Sequence, residues 1–89
     1  MNWFKIEVDK GKEGTYHYVG STADALETLI EKAQRGEFLR LADLLYVDRG
    51  DLKTWDEWDR SLMPSVAINP RTVISIMQFK GDPRTTSRR

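Results

Sequence analysis

The chain contains no cysteine, and this absence most narrows what it can fold into. Disulfide bridges, thiolate metal sites and cysteine nucleophiles are all excluded, and so are the small secreted scaffolds that disulfides hold together. With 89 residues, the chain is one domain's worth of sequence, so its stability has to come from packing alone. A core of this size supports roughly 5–10 kcal/mol, and oligomerisation would be a natural supplement.

Composition indicates a soluble globular domain. Hydrophobic residues make up 39% of the chain and charged residues 31%, with a formal net charge of +0. No apolar run approaches the roughly 18 residues of a membrane span. Residues 1–5 lack the features of a secretory signal peptide, so we expect a cytoplasmic protein that does not associate with membranes.

Residues 2–9 alternate between two faces, which is typical of a half-buried strand. Phe4, Ile6 and Val8 share one face, and Trp3 lies on the other. Two glycines in residues 10–14 and the β-branched and aromatic residues at 15–19 then predict an N-terminal hairpin. Gly20 is expected to break the second strand.

The helical period is clearest in residues 22–35. The apolar residues at i, i+3, i+4 and i+7 are Leu26, Leu29, Ile30 and Ala33. Ser21 and Asp24 form a weakened capping box before them, and Gly36 follows as a helix-terminating residue. We therefore expect a helix that lies across one face of a sheet.

Residues 37–47 fit both a helix and a strand. The strand is favoured because Gly36 has just ended a helix and residues 48–51 resemble a turn. A bulge near Ala42 and Asp43 would reconcile the apolar positions with one strand.

The last third of the chain predicts a short helix followed by two strands. A complete capping box at Thr54 and Glu57 predicts helical structure at residues 55–61. Residues 65–68 and 72–79 read as strands, joined by one tight helical turn at Asn69.

The predicted architecture is a single α+β domain over residues 1–80. A small mixed or antiparallel sheet of about five strands is covered by one helix, in the order β-β-α-β-(short helix)-β-β. Residues 81–89 are expected to form a flexible basic tail.

Few residues have the spacing that catalysis, cofactor binding or metal binding requires. His17 is the only histidine, and we expect it to be an ordinary strand residue rather than a general base. The acidic residues at 48–59 match no calcium-binding loop and are interspersed with basic ones, which favours a solvated charged face. We expect no catalytic residue, cofactor or metal.

Large aromatic rings favour a non-enzymatic protein–protein interaction or self-assembly module. The partner would be a second copy of the chain or another protein, and an exposed Trp on a sheet face often marks such a contact. The alternative for Trp3 is burial beneath residues 51–63. The interface candidates are Trp3, Tyr16, Tyr18, Trp55 and Trp58.

The alternative function is that of a nucleic-acid-binding accessory protein, which would use a sheet face and the arginine-rich C-terminus. Zero net charge disfavours it, because nucleic-acid-binding domains usually carry a basic surplus. Its candidate residues are Arg71, Lys80, Arg84, Arg88 and Arg89.

Overall fold

The computed structural model describes residues 1–54 and 64–86. They form one antiparallel sheet of six strands with a helix packed on it, which confirms the predicted small α+β fold. Five strands follow the order β4-β3-β2-β1-β6, and β5 pairs with β3. The elements are β1 (Asn2–Asp9), β2 (Thr15–Thr22), α1 (Leu26–Gln34), β3 (Leu39–Asp48), β4 (Asp51–Thr54), β5 (Val66–Ile68), β6 (Val73–Gln78) and the single helical turn α2 (Pro83–Thr86).

The N-terminal hairpin is confirmed, but β2 runs straight through the expected break at Gly20. Pairing continues from Asp9↔Thr15 to Asn2↔Thr22. A Cβ atom added at Gly20 would lie 2.7 Å from the Ala42 carbonyl oxygen, which is closer than packed atoms approach. Glycine therefore serves here to let β3 come close, rather than to end a strand.

Helix α1 is shorter than the predicted 22–35, and its predicted capping box is wrong. The N-cap is Ala25, whose methyl side chain cannot accept a hydrogen bond, and the Ser21 hydroxyl donates instead to Asp43 Oδ2 at 2.7 Å. The C-terminal prediction is confirmed. Gly36 has a φ of 78°, and its N–H donates to the Ala33 carbonyl as in a Schellman motif.

Residues 39–48 are a strand with the expected bulge. Val19 pairs with Leu45 and Ser21 with Ala42, so β3 has one residue more than β2 between these points. Asp43 occupies the left-handed region with a φ of 50°. The extra residue inverts the alternation of side chains along the rest of the strand.

Strand β4 was not expected from the sequence. A two-residue turn precedes it, with positive φ at both Arg49 and Gly50, as in a type I′ hairpin turn. The later joint between β5 and β6 follows the prediction. Asn69 Oδ1 accepts the Arg71 N–H at 3.0 Å, and Pro70 occupies the first helical position.

Each face of the sheet carries an apolar cluster. The helix-side cluster contains the expected core residues and most of the leucines of β3: Phe4, Ile6, Val8, Leu29, Leu39, Leu41, Leu44 and Ile68. Ile30, predicted to share this core, is 41% exposed. The opposite face has a smaller cluster of Trp3, Val19 and Leu45, with Leu52 and Phe79 packed against it. The helix predicted at 55–61 lies outside the described residues.

Candidate interaction surfaces

Strand β6 forms one end of the five-stranded path and is uncharged along its whole length. Among the described residues it pairs only with β1. Its sequence is Val-Ile-Ser-Ile-Met-Gln, and Ile74 and Met77 are 53% and 52% exposed. An apolar edge strand without charge or proline favours the addition of another strand.

The hydrogen bonds between the strands show which backbone groups of β6 face outward. The Phe79 N–H donates to the Trp3 carbonyl at 2.8 Å, so Phe79 faces β1. The pairing with β1 shifts register between Ser75 and Val73, which marks a bulge at Ile74. Backbone groups alternate in direction along the regular part of the strand, so those of Ile76 and Gln78 point away from β1. Each of these residues offers one donor and one acceptor to an added strand.

The opposite end of the path carries charge. Asp51 and Lys53 lie on the four-residue strand β4, which pairs with the end of β3. Charged side chains and short length are the usual protections of an edge strand. In the described part of the sheet, the β4 end is protected by charge and short length, whereas the β6 end has no charged residue and is protected only by the bulge at Ile74.

Trp3 is not an exposed anchor, because only 6% of it is accessible. The carbon of the Arg84 guanidinium lies 4.7 Å from the centre of its ring, and the same group bonds both carboxylate oxygens of Asp82 at 2.8–3.3 Å. The ring lies in the smaller cluster, against which Leu52 packs. Leu52 belongs to residues 51–63, the segment beneath which the alternative interpretation of the sequence placed Trp3.

This arginine–carboxylate pair shifts the pKa of both partners. The hydrogen bond from Arg84 holds the pKa of Asp82 below its ordinary value, against the opposing effect of partial burial. The same hydrogen bond raises the pKa of Arg84, and the charge of Asp43 adds to that rise. The side chain of Arg84 is therefore held against the domain by Asp82 and by the Trp3 ring.

The two tyrosines of β2 form a pair that belongs partly to the core. Their ring centres are 4.9 Å apart in an edge-to-face arrangement, and Lys10 Nζ lies 5.1 Å from the centre of the Tyr16 ring. Tyr18 packs against the helix-side core, whereas Tyr16 is 37% exposed. The other two aromatic candidates, Trp55 and Trp58, lie outside the described residues.

The basic candidates are not gathered at one place. Arg71 lies before β6 and Lys80 beyond it, and a six-residue strand spans about 20 Å. Both are exposed, while Arg84 is paired with Asp82. Arg88 and Arg89 lie outside the described residues.

A polar row crosses three strands on the face that carries Trp3. Glu7 is opposite both His17 and Ser75. The Ser75 hydroxyl donates to Glu7 Oε1 at 3.3 Å, and His17 Nε2 is 3.8 Å from Glu7 Oε2. The serine hydroxyl is thus directed at the carboxylate, whereas a nucleophilic serine donates to a histidine.

Potential metal ligands do not cluster in the described part of the chain. Residues 1–54 and 64–86 contain no group of three or more potential ligands that could hold a metal ion. Beside the Trp3 cluster, an open groove of about 590 Å³ extends over strands β1 to β4 and is lined by Lys5, His17 and Leu52 among others.

Comparison with known proteins does not identify the chain. No protein family, curated protein or solved structure is significantly similar to it. None of the helices in the described ranges has the length and apolar character needed to cross a membrane.

The sequence predicted β6 correctly but did not single it out as the uncharged end of the sheet. The available signal was the absence of charge between Arg71 and Lys80, in a chain whose residues are 31% charged. The contact between Arg84 and Trp3 joins residues that are far apart in sequence, and no local pattern indicates it.

Proposed function

We propose that this protein is a non-enzymatic self-association module that uses the outer edge of β6. The observation that carries the proposal is the combination of outward backbone groups with the exposed side chains of Ile74 and Met77. Strand addition would satisfy the backbone groups and remove both side chains from water.

The small size of the protein supports association. A domain of this length buries only about 60–65% of the surface of its unfolded chain, so added burial is a substantial gain. Arg84 covers the Trp3 ring, so Trp3 is not available as an anchor. The contacts would instead be made by the exposed side chains of Ile74 and Met77.

Sedimentation equilibrium over a range of concentrations tests the proposal. The wild type is expected to exceed the monomer mass of 10.3 kDa, and Ile74→Lys to return it to that mass. Lysine at an edge position opposes strand addition because its charge would have to be desolvated.

Val47→Lys is the matched control, because Val47 is 71% exposed and lies on β3 rather than β6. It should associate as the wild type does. A wild type that stays monomeric at millimolar concentration, or equal association of all three proteins, would contradict the proposal.

A further inference from the structure

We infer that the hairpin of β3 and β4 is a flap, which closes the open groove by pairing Val47 with His17 of β2. The inference does not depend on self-association, because it concerns the end of the sheet opposite to β6. It rests on where the pairing of β2 with β3 stops, on the direction of the backbone groups beyond that point, and on the exposure of Val47.

The pairing between β2 and β3 covers only part of the two strands. Val19↔Leu45 is its last pair toward the turn of the β3–β4 hairpin. Both strands extend beyond this pair, but in the described part of the chain they are not paired with each other there. Both stretches line the open groove, His17 from β2 and Val47 from β3. The groove therefore includes the gap where β2 and β3 diverge.

The backbone groups of His17 point into this gap. The Lys10 N–H donates to the Gly14 carbonyl at 2.7 Å, so the backbone groups of Gly14 face β1. The pairing of β2 with β1 continues from there without a register shift, so those of Tyr16 and Tyr18 also face β1. The N–H and C=O of His17 therefore face β3.

The backbone groups of Val47 point into the gap from the other side. A two-residue turn joins β3 to β4, and hydrogen bonds between the flanking residues, Asp48 and Asp51, close a turn of this kind. The backbone groups of Asp48 therefore face β4. Those of the preceding residue, Val47, face β2, because the pairing of β3 with β4 is regular over this stretch.

His17 and Val47 are the next hydrogen-bonded pair of the same ladder. They lie two residues beyond Val19↔Leu45 on their strands, so closure needs no change of register. Pairing would join the donor and acceptor of each residue to those of the other. It would also cover Val47, whose side chain belongs to a residue that is 71% exposed. Both effects favour closure.

The bulge at Asp43 is the hinge of the flap. Its left-handed backbone, with a φ of 50°, bends β3 and increases the local twist, which turns the hairpin away from β2. The Ser21 hydroxyl donates to Asp43 Oδ2 at 2.7 Å and ties the base of the flap to β2. Motion is thereby confined to β4 and to the part of β3 beyond Leu45. The flap controls access to the groove beside the smaller apolar cluster.

Disulfide trapping in the cysteine-free chain tests the flap. Hydrogen-bonded pairs have Cα atoms about 5.5 Å apart, which a disulfide can span. His17→Cys/Val47→Cys should therefore cross-link within one molecule when the flap closes. Thr15→Cys/Val47→Cys is the matched control, because in the closed register Thr15 lies about 8–9 Å from Val47 and out of reach.

Both variants are oxidised with glutathione at micromolar concentration, after circular dichroism has checked that they keep the sheet. Intramolecular cross-linking of His17→Cys/Val47→Cys is expected to be at least about 10-fold faster than that of the control, because pairing raises the effective thiol concentration. Equal rates in the two folded variants would overturn the flap.

Relaxation dispersion of the wild-type amides measures the motion without any substitution. His17 and Val47 enter and leave the pair together, so their amides are expected to share one exchange rate on the microsecond-to-millisecond timescale. Val19 is paired in both states and should show little exchange. Flat dispersion at both His17 and Val47 would refute the motion, because the groove would then be always open or always closed.

Discussion

Replacing Leu29 and Ile30 by alanine in parallel tests how helix α1 is oriented on the sheet. The two residues are isomeric and adjacent, but Leu29 is 0% exposed and Ile30 is 41% exposed. Leu29→Ala removes three carbon groups, a loss of about 2.4 kcal/mol at roughly 0.8 kcal/mol per group. A residual cavity of about 50 Å³ would add about 1.2 kcal/mol.

The expected total for Leu29→Ala is therefore about 3.6 kcal/mol, a large part of the roughly 5–10 kcal/mol available to a domain of this size. Ile30→Ala is expected to stay within about 1 kcal/mol of the wild type, because alanine recovers a few tenths in helix propensity. Urea unfolding followed by circular dichroism measures both free energies. Equal losses in the two variants would refute this orientation of the helix.

Three further outcomes are expected. Gly20→Ala should lower the free energy of unfolding by about 1–3 kcal/mol, because its Cβ would meet the Ala42 oxygen, whereas Gly81→Ala, which meets nothing within 4 Å, should match the wild type in urea unfolding. The pair of Asp82 with Arg84 should stabilise the fold fully above the ordinary carboxyl pKa of about 3.9, and this stabilisation should be lost as the pH falls through the lowered pKa of Asp82. Between about pH 6 and pH 2.5, the free energy of unfolding of Asp82→Asn should therefore fall less than that of the wild type. The difference should be under about 1 kcal/mol because the pair is partly exposed. Fluorescence anisotropy at low salt should show no DNA affinity tighter than about 10⁻⁴ M; a tighter, salt-dependent affinity would favour the nucleic-acid alternative.

Local sequence signals predicted the elements whose determinants are also local. The Schellman motif needs Gly36 directly after the helix, and the helical turn before β6 needs Asn69 followed by Pro70. The bulge near Asp43 was predictable because the leucines of β3 fit neither face alone.

Predictions failed where a residue was used by a distant part of the chain. Ser21 matched a helix cap, but Asp43, a neighbour only through the pairing of β2 with β3, takes its hydroxyl. Trp3 was correctly placed on the face of the sheet opposite to that of Phe4, but the sequence did not show that Arg84 would cover its ring. The order of strands in the sheet, which makes β6 an end, also depends on pairing between distant segments.

The bulge in β3 makes this strand more sensitive to its length than to the identity of its extra residue. Asp43 is exposed, and asparagine would accept its left-handed backbone as readily while keeping a side-chain oxygen for the Ser21 hydroxyl. Deleting the position would instead rotate every following side chain of the strand to the opposite face. Leu44 would leave the helix-side core and Leu45 would enter it, so one missing residue would exchange the two clusters' contributions from β3.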